Sequence, residues 1–356
     1  MMQKPKIAVV GATGAVGEVL LSILADRGHR EDRVTALASE RSAGQDVEFG
    51  MTQLEVENLA GFDFSTVDYA LFSAGGSVSK EFAPRAAAAG AKVIDNTSAF
   101  RYDDEIPLVV PEVNAHVLDG IEGGCIIANP NCSTIQMVVA LAPIHQEAGI
   151  TRINVATYQS VSGAGRKGLE ELAMQTAQKL NFKEAEMKAF TQPIAFNVLP
   201  QIDVLEENGY SREEMKMLWE TQKILGDKSV LVNATAVRVP VFYGHAEAVH
   251  FETRDEISIE RITALLTQAE GVEILGNING VHPTPVTHAA GKDPVYVGRL
   301  RRDLSHPRGI SMWVVADNVR KGAALNAVQI MDYLEQRRVI AGKPNRAQVH
   351  STQLGV

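Results

Sequence analysis

Cysteines and long apolar runs are scarce in this chain. Only two cysteines occur among 356 residues, too few for a disulfide framework, which indicates a reducing compartment. No stretch reaches the ~20 consecutive apolar residues of a membrane helix, since Gly11, Gly14 and Gly17 interrupt the apolar N-terminal segment. We therefore expect a cytoplasmic protein without a membrane segment.

Basic residues are also in the minority. The 34 lysines and arginines are outnumbered by 43 acids, for a formal net charge of −9. This balance argues against nucleic-acid binding, which needs a clustered basic face, but not against a small anion held by a few arginines. The chain also lacks internal repeats, low-complexity tracts and long linkers, and we predict no metal site. Its length favours two domains over one compact core.

The first glycine-rich segment has the pattern of a nucleotide-binding turn. A β-branched strand, a glycine turn and an amphipathic helix follow one another in KIAVVGATGAVGEVLLSILADRG, residues 6–28. Glycines let the backbone approach a pyrophosphate, and the helix N-terminus presents N–H groups to it. The spacing is G-x-x-G-x-x-G rather than the standard G-x-G-x-x-G, so a tight turn without a ligand stays an alternative.

The end of the second predicted strand indicates which dinucleotide is bound. The segment SERSAG follows RVTALAS there. Glu40 could accept the ribose 2′-hydroxyl of NAD, whereas Arg41 and Ser42 suit a 2′-phosphate. We favour NADP as the cofactor, and a solvated Arg41 in a surface loop is the alternative.

The order of strand and helix patterns predicts the fold class. Strands and helices alternate up to GGCIIANP, which predicts an α/β domain with a Rossmann-like, doubly wound parallel sheet. Cys125 lies inside that last strand as a small apolar filler. Later alternating strands predict an α+β domain with a mixed, largely antiparallel sheet. We expect domains at 1–130 and 131–317, a helix at about 318–340 that returns to the first domain, and a partly disordered tail.

Cys132 is the candidate nucleophile. It stands between an Asn-Pro-Asn turn and a predicted helix, and a thiol at a helix N-terminus ionises more readily. Beside a dinucleotide site, such a thiolate suggests a thiohemiacetal that passes on a hydride and leaves a thioester. His245, after Gly244 at the start of a strand, is the candidate base. Packing for Cys132 and a structural role for His245 are the alternatives.

Seven segments resemble aspartate-semialdehyde dehydrogenases, in the same order and across nearly the whole chain. They are GATGAVG, SERSAG, SAFRYD, NPNCSTIQ, YQSVSGAGRKG, RVPVFYGHAEAV and ADNVRKGAALNAVQI. NPNCSTIQ and the Arg-x₆-His spacing from Arg238 to His245 are specific features, whereas SGAGRKG is shared with N-acetyl-γ-glutamyl-phosphate reductases. Ala246 departs from the serine that many members have after the histidine, which puts the contacts around His245 in doubt.

The resemblance implies a role for each site residue, together with a homodimer. Cys132 would be the acyl-thioester nucleophile, His245 the general acid/base, and Gln159 the residue that orients the acyl intermediate. The substrate would be bound by Arg238 at its carboxylate, Glu213 at its amine, Arg101 and Lys216 at phosphate, and Asn131. The cofactor would be bound by Gly11, Thr13, Gly14, Ala15, Val16, Arg41, Ser42, Ser162, Gly163 and Asn318. Without the resemblance, Glu213 and Lys216 are best interpreted as a solvated helical pair.

The implied activity is the NADP-dependent reductive dephosphorylation of L-aspartyl 4-phosphate to L-aspartate 4-semialdehyde, in the biosynthesis of lysine, threonine and methionine. Reduction of N-acetyl-γ-glutamyl phosphate is one alternative, but an acetylated amine offers no cation to Glu213. A non-catalytic NADP or redox sensor is the other. The intact set of Cys132, Gln159, Arg238 and His245 counts against a sensor.

Overall fold

The computed structural model describes residues 4–276 and 280–342, and the chain divides into two compact units. The first takes the chain up to Pro130 and resumes at Ala323, and the second runs from Asn131 to Gly322. The predicted return at about residue 318 thus lies a few residues ahead of the unit boundary. The tail predicted to be partly disordered lies, beyond residue 342, outside the described residues. Within the described ranges, no helix combines the length and apolarity needed to cross a bilayer.

The first unit is built on a seven-stranded sheet. Its strands follow the order β3-β4-β2-β1-β5-β6-β7, and all neighbours are parallel except the β3–β4 pair. Because β2 and β5 flank β1 on opposite sides, the strand order reverses there and opens a crevice at its carboxyl end. The strands are β1 (Ile7–Val10), β2 (Val34–Ala38), β3 (Asp46–Phe49), β4 (Thr52–Asn58), β5 (Tyr69–Phe72), β6 (Lys92–Asp95) and β7 (Cys125–Ala128).

Helices cover both faces of this sheet. On β1, Ile7 and Val9 point into one apolar cluster, and Ala8 and Val10 point into the other. This two-sided burial explains why the strand is apolar throughout instead of alternating. The helices of the unit are α1 (Ala15–Asp26), α2 (Gly76–Ala88), α3 (Pro111–Asn114) and the C-terminal helix (Leu325–Ile340). Helix α1 and the C-terminal helix belong to the first cluster, and α2 belongs to the second.

The second unit is built on a six-stranded mixed sheet in the order β11-β12-β13-β10-β8-β9. The three central pairs are antiparallel, and the two outer pairs, β11–β12 and β8–β9, are parallel. The predicted fold class is confirmed. The strands are β8 (Ile150–Gln159), β9 (Leu231–Arg238), β10 (His245–Thr253), β11 (Val272–Leu275), β12 (Val295–Arg302) and β13 (Gly309–Ala316). The helices are α4 (Cys132–Ala148), α5 (Arg166–Leu180), α6 (Arg212–Leu225) and α7 (Ile259–Gln268).

Three adjacent strand ends meet at one edge of this second sheet. Gln159 and Arg238 pair at the carboxyl ends of the parallel strands β8 and β9. Strand β10 runs antiparallel to β8 and pairs Ala246 with Tyr158, so its first residue, His245, lies at the same edge. Strand pairing therefore brings Gln159 to the same edge as Arg238 and His245, which follow it in sequence by 79 and 86 residues.

Candidate active site

The first unit has a cleft of about 530 Å³ at the carboxyl ends of β1, β2 and β5. Its lining includes five of the predicted cofactor residues, namely Gly11, Thr13, Gly14, Arg41 and Ser42. Helix α1 begins at the edge of the cleft, with Gly14 as its cap and Ala15 and Val16 as its first residues. Because Gly14 has no side chain to cap the helix, the first N–H groups of α1 stay available to a phosphate.

The glycine turn of this cleft fits a dinucleotide because its backbone is not covered by side chains. Gly11 has a φ of +90°, and a Cβ there would lie 2.9 Å from the backbone nitrogen of Ala74. A Cβ on Gly17 would lie 2.1 Å from the carbonyl oxygen of Gly11, so helix α1 packs directly on the turn. Glu40, Arg41 and Ser42 form a short 3₁₀ turn on the cleft rim. This turn offers both an acid for a ribose hydroxyl and a guanidinium for a 2′-phosphate.

In the second unit, Cys132 is the first residue of α4. Asn131 is the N-cap, and its Oδ1 accepts hydrogen bonds from the backbone nitrogens of Ser133 at 3.0 Å and Thr134 at 3.3 Å. The thiol therefore lies at the positive end of a capped helix, which favours the thiolate. A Cβ on Gly322 would lie 2.7 Å from the Cβ of Cys132. Only glycine at position 322 leaves room beside the thiol, a contact that sequence reasoning missed.

Glu213 and Lys216 form a buried ion pair on α6 rather than a solvated one. Glu213 Oε1 accepts from Asn131 Nδ2 at 2.9 Å and from Gln159 Nε2 at 3.3 Å. Its Oε2 accepts from Lys216 Nζ at 3.0 Å, and Lys216 also donates to Asp203 at 2.9 Å. Glu213 is only 5% exposed. The carboxylate is thus tied both to the cap of the Cys132 helix and to the end of β8.

The charges around Glu213 keep it ionised despite burial. Burial raises the pKa of Glu213, but Lys216, the Asn131 amide and Arg238 outweigh it and lower the pKa to about 2. Burial likewise lowers the pKa of Lys216, but Glu213 and Asp203 outweigh it and raise this pKa above its ordinary value. At neutral pH the site therefore contains a buried carboxylate with cations on two elements.

Arg238 is a buried guanidinium at the end of β9. Its Nη1 donates to the carbonyl oxygen of Ser160 at 2.7 Å. Burial lowers the pKa of Arg238, while the negative charges of Glu213 and Cys132 oppose that shift. An arginine nevertheless stays protonated at any physiological pH. The site thus places a fixed cation within electrostatic range of the nucleophile.

His245 is fully buried and neutral. The backbone N–H of Ser160 donates to His245 Nδ1 at 3.1 Å, so the neutral ring has its proton on Nε2. Burial, followed by the charge of Arg238, lowers the pKa of His245 to about 3. Its Nε2 has no hydrogen-bond partner among the described residues. A Cβ on Gly163 would lie 2.8 Å from Arg238 Nη1 and 3.6 Å from His245 Nε2, so Gly163 borders the space into which both groups open.

The predicted cofactor residues Ser162 and Asn318 form a network behind His245. Asn318 Oδ1 accepts from the backbone nitrogen of Gly244 at 2.9 Å and from Ser162 Oγ at 3.1 Å. Ser160 Oγ joins them, 3.1 Å from Asn318 Oδ1 and 2.9 Å from Ser162 Oγ. These contacts fix the turn before β10. The cofactor role of Ser162, Gly163 and Asn318 stays a prediction.

Arg101 and Cys125 are two further residues of the first unit for which the sequence predicts a role. Arg101 is buried after β6, and its Nη2 donates to the carbonyl oxygen of Asn96 at 2.7 Å. Its role as a phosphate ligand stays a prediction. Cys125 lies in β7, where burial raises the pKa of its thiol. A thiol that resists ionisation is the environment expected for a packing residue.

Further polar residues of the second unit escaped sequence reasoning. Glu220 Oε2 accepts from the backbone nitrogen of Asn131 at 2.6 Å. It follows Glu213 by seven residues, two turns of α6, so helical spacing could have revealed it. Glu247 on β10 and Gln136 on α4 are both fully buried. Burial raises the pKa of Glu247 well above its ordinary value, while Gln136 opposes the shift.

Comparison with known proteins first defines the class. A model of the semialdehyde dehydrogenase NAD-binding domain matches residues 6–121, and a model of the semialdehyde dehydrogenase dimerisation domain matches residues 141–321. These matches correspond to the two compact units. The protein is therefore an oxidoreductase of the semialdehyde dehydrogenase class.

Individual relatives narrow the class to one family. The chain is 58% identical over 334 residues to aspartate-semialdehyde dehydrogenase 2 of Vibrio cholerae, covering 94% of this chain and 98% of that one. It is 55% identical over 337 residues to the Legionella pneumophila enzyme, with 94% and 97% covered. A crystal structure of the Vibrio cholerae enzyme II complexed with ASA superposes with a TM-score of 0.90 at 56% identity, covering 94% and 99% of the two chains. The chain belongs to the aspartate-semialdehyde dehydrogenase family, which confirms the predicted family.

Proposed function

We propose that this protein catalyses the NADP-dependent reductive dephosphorylation of L-aspartyl 4-phosphate to L-aspartate 4-semialdehyde. The observation that carries the proposal is the pair of opposite buried charges beside the Cys132 helix. Glu213 is an ionised carboxylate bonded to the cap residue Asn131, and Arg238 is a cation acted on by the charge of Cys132. A substrate with both a free amine and a free carboxylate matches these two charges.

The first chemical step falls to Cys132. Its thiolate, favoured by the positive end of α4, attacks the acyl carbon of the substrate. A C–S bond forms, the C–O bond to phosphate breaks, and phosphate leaves with the bonding electrons. Arg238 holds the substrate carboxylate through its planar fork, and the amide of Gln159, fixed by Glu213 at 3.3 Å, orients the acyl group. The product of this step is a thioester on Cys132.

The second step reduces that thioester. NADPH, when bound, supplies the hydride. The oxygen of the resulting thiohemiacetal needs a hydrogen-bond donor, and His245 Nε2–H is the group available because no described residue occupies it. Collapse of the thiohemiacetal breaks the C–S bond, releases the semialdehyde and restores the Cys132 thiolate.

Other residues are assigned to ligands. The cofactor pyrophosphate falls to the backbone of the Gly11–Val16 turn, and the 2′-phosphate to Arg41 and Ser42, which line the cleft rim. Ser162, Gly163 and Asn318 are proposed as further cofactor contacts. Arg101 and Lys216 are proposed for phosphate, and Lys216 in addition keeps Glu213 ionised.

Assembly and location follow from the same reasoning. The second unit matches a dimerisation-domain model, which supports a homodimer. A catalytic Cys132 must stay reduced, which supports a cytoplasmic location.

A substrate panel tests the proposed function. The protein is supplied with aspartate semialdehyde or N-acetylglutamate semialdehyde, with NADP or NAD, and with or without phosphate, while formation of reduced cofactor is followed by absorbance. We expect rapid, phosphate-dependent reduction of NADP with aspartate semialdehyde. Turnover of the acetylated compound instead would assign the reductase alternative, and NADP binding without turnover of either compound would assign the sensor.

A further inference from the structure

Ser160 is the most densely bonded residue around His245, and no role was predicted for it. It follows Gln159 at the end of β8 and is fully buried. Its N–H donates to His245 Nδ1 at 3.1 Å, and its carbonyl oxygen accepts from Arg238 Nη1 at 2.7 Å. Its hydroxyl oxygen lies 3.1 Å from the same Nδ1 and 3.1 Å from Asn318 Oδ1. One residue thus contacts both the candidate acid/base and the carboxylate-binding arginine.

The two Ser160 groups that face Nδ1 differ in what they can do. A backbone N–H can only donate a hydrogen bond, whereas a hydroxyl can donate or accept. In the neutral ring with its proton on Nε2, Nδ1 accepts from the N–H. When the semialdehyde is oxidised, the thiohemiacetal hydroxyl gives up its proton to Nε2. The ring must start that step as the neutral tautomer with its proton on Nδ1, and it becomes the imidazolium, which keeps that proton. That proton on Nδ1 would face the Ser160 N–H, which offers it no acceptor.

The Ser160 hydroxyl oxygen solves this problem. It can accept a hydrogen bond from Nδ1–H if its own hydrogen points to another acceptor. Asn318 Oδ1, at 3.1 Å, is such an acceptor. Ser162 Oγ, 2.9 Å away, offers a second acceptor. Asn318 Oδ1 also accepts a hydrogen bond from the backbone nitrogen of Gly244 at 2.9 Å. The acceptor for the Ser160 hydroxyl is therefore bonded to the residue before His245.

A hydrogen bond with the backbone of Gly244 also acts on His245 and raises its pKa. The remaining charged and titratable groups near His245 do not contact Nδ1. Arg238 on β9 is a permanent cation that disfavours the imidazolium, and Glu213 on α6 is an anion that favours it. Glu247 lies two residues along β10, and burial raises its pKa. Helix α4 contributes the thiol of Cys132, and Asp317, after β13, is bonded to the backbone nitrogens of Val319 and Arg320 at 2.8 and 2.9 Å. None of these groups makes a hydrogen bond to Nδ1 in the described residues.

We propose that Ser160 is a positioning residue for His245. Its hydroxyl oxygen accepts a hydrogen bond from Nδ1–H, and its own hydrogen is donated to Asn318 Oδ1, whenever His245 Nε2 takes up a proton at the substrate. This inference rests on the proposed function, in which His245 is the acid/base. It assigns the backbone of Ser160 to holding Arg238 and the side chain to the proton step. The two tasks can therefore be separated by substitution.

The test compares Ser160→Ala, Ser160→Val and Ser160→Thr in the full-length protein. All three keep the backbone contacts, and threonine and valine have nearly the same shape, but only threonine has a hydroxyl. We expect kcat to fall about 10- to 100-fold in the alanine and valine variants, at the lower end of general acid–base contributions. The threonine variant should stay within about threefold of the parent, and the KM for aspartate semialdehyde should change by less than about threefold in all three.

Several results would overturn the proposal. Retention of kcat in both the alanine and valine variants would show that the hydroxyl only fills space. An equal loss in threonine and valine would assign the loss to shape. A rise in KM at constant kcat would mean that Ser160 acts on substrate binding through Arg238. If the parent protein itself fails to turn over aspartate semialdehyde, the proposed function fails instead, which the parent assay distinguishes. If the alanine variant does not fold, the threonine and valine pair still decides.

Discussion

The predicted ligand sites of the two units are formed by different chemical groups. The cleft of the first unit includes a glycine turn, where a Cβ on Gly11 or Gly17 would collide with neighbouring backbone. The site of the second unit is formed by buried side chains, and Glu213, Arg238 and His245 all have shifted pKa values there. Backbone N–H groups bind phosphate without titrating, which suits a cofactor that must come and go. Buried titratable groups suit covalent and proton-transfer chemistry.

The two cysteines show the same contrast at the level of one residue type. Cys125 lies within a strand of the first unit, where burial raises the pKa of the thiol. Cys132, seven residues later, begins a helix whose first N–H groups Asn131 caps. The two cysteines are close in sequence, but burial disfavours ionisation of the Cys125 thiol, whereas the helix N-terminus favours ionisation of the Cys132 thiol.

Replacement of the nucleophile should have the largest effect. Cys132→Ala should lower kcat at least about a thousandfold, because the thioester can no longer form. Binding of NADP, measured by fluorescence or calorimetry, should change by less than about twofold, since the cofactor cleft belongs to the first unit. Cys125→Ser is the matched control and should keep most of the activity. Activity of Cys132→Ala above about a thousandth of the parent activity would contradict the assignment of Cys132 as the nucleophile.

Arg238 and Arg101, which are both buried, should be separable by kinetics. Arg238→Lys keeps the charge but loses the planar fork, so kcat should fall and the KM for aspartate semialdehyde should rise, by about 10- to 100-fold in kcat/KM. The phosphate KM should change less. Arg101→Lys in the first unit should show the reverse order and raise mainly the phosphate KM. Equal effects of both variants on both substrates would mean that the two anion sites are wrongly assigned.

Removal of the Arg41 charge should alter cofactor choice without altering the chemistry. Arg41→Ala should weaken NADP by about 1.5–3 kcal/mol, the range for a hydrogen bond to a charged group, and should weaken NAD far less. Dissociation constants for both cofactors provide the measurement, and Glu40→Ala in the same turn is the control. If Arg41→Ala weakens NAD and NADP equally, then Glu40 or another residue contacts the ribose.

Local features of the fold could be predicted because they depend on spacing within one element. Leu20, Leu21 and Leu24 recur at helical intervals, and all three are fully buried in α1. The glycine pattern predicts a tight turn at Gly11, whose φ of +90° strongly favours glycine. The position of Cys132 at a helix start was likewise visible from the Asn-Pro-Asn turn before it.

Contacts made by strand pairing could not be predicted in the same way. Gln159 faces Arg238 only because β8 and β9 pair in one register, and a single sequence does not specify which strands become neighbours. The hydroxyl of Ser160 and the absent side chain of Gly322 gain their meaning from residues more than 80 positions away. The family resemblance names Glu213, Arg238 and His245, but it does not name Ser160, Glu220 or Gly322.

The smallest expected effect concerns a buried acid that should take no part in the chemistry. Burial raises the pKa of Glu247, so between the unfolded and folded pKa values the folded protein keeps this acid protonated while the unfolded chain ionises it. This contribution to stability is fully present below the unfolded pKa and is lost as the pH rises through the folded value, at up to about 1.4 kcal/mol per pH unit. Glu247→Gln, which cannot ionise, should match the parent at about pH 5 and become the more stable protein at about pH 8.

Urea unfolding at fixed protein concentration measures the difference, with the exposed Glu184→Gln as a control that should stay near the parent at both values. A Gln variant that is less stable than the parent at the higher pH would show that Glu247 is ionised and paired in the folded protein.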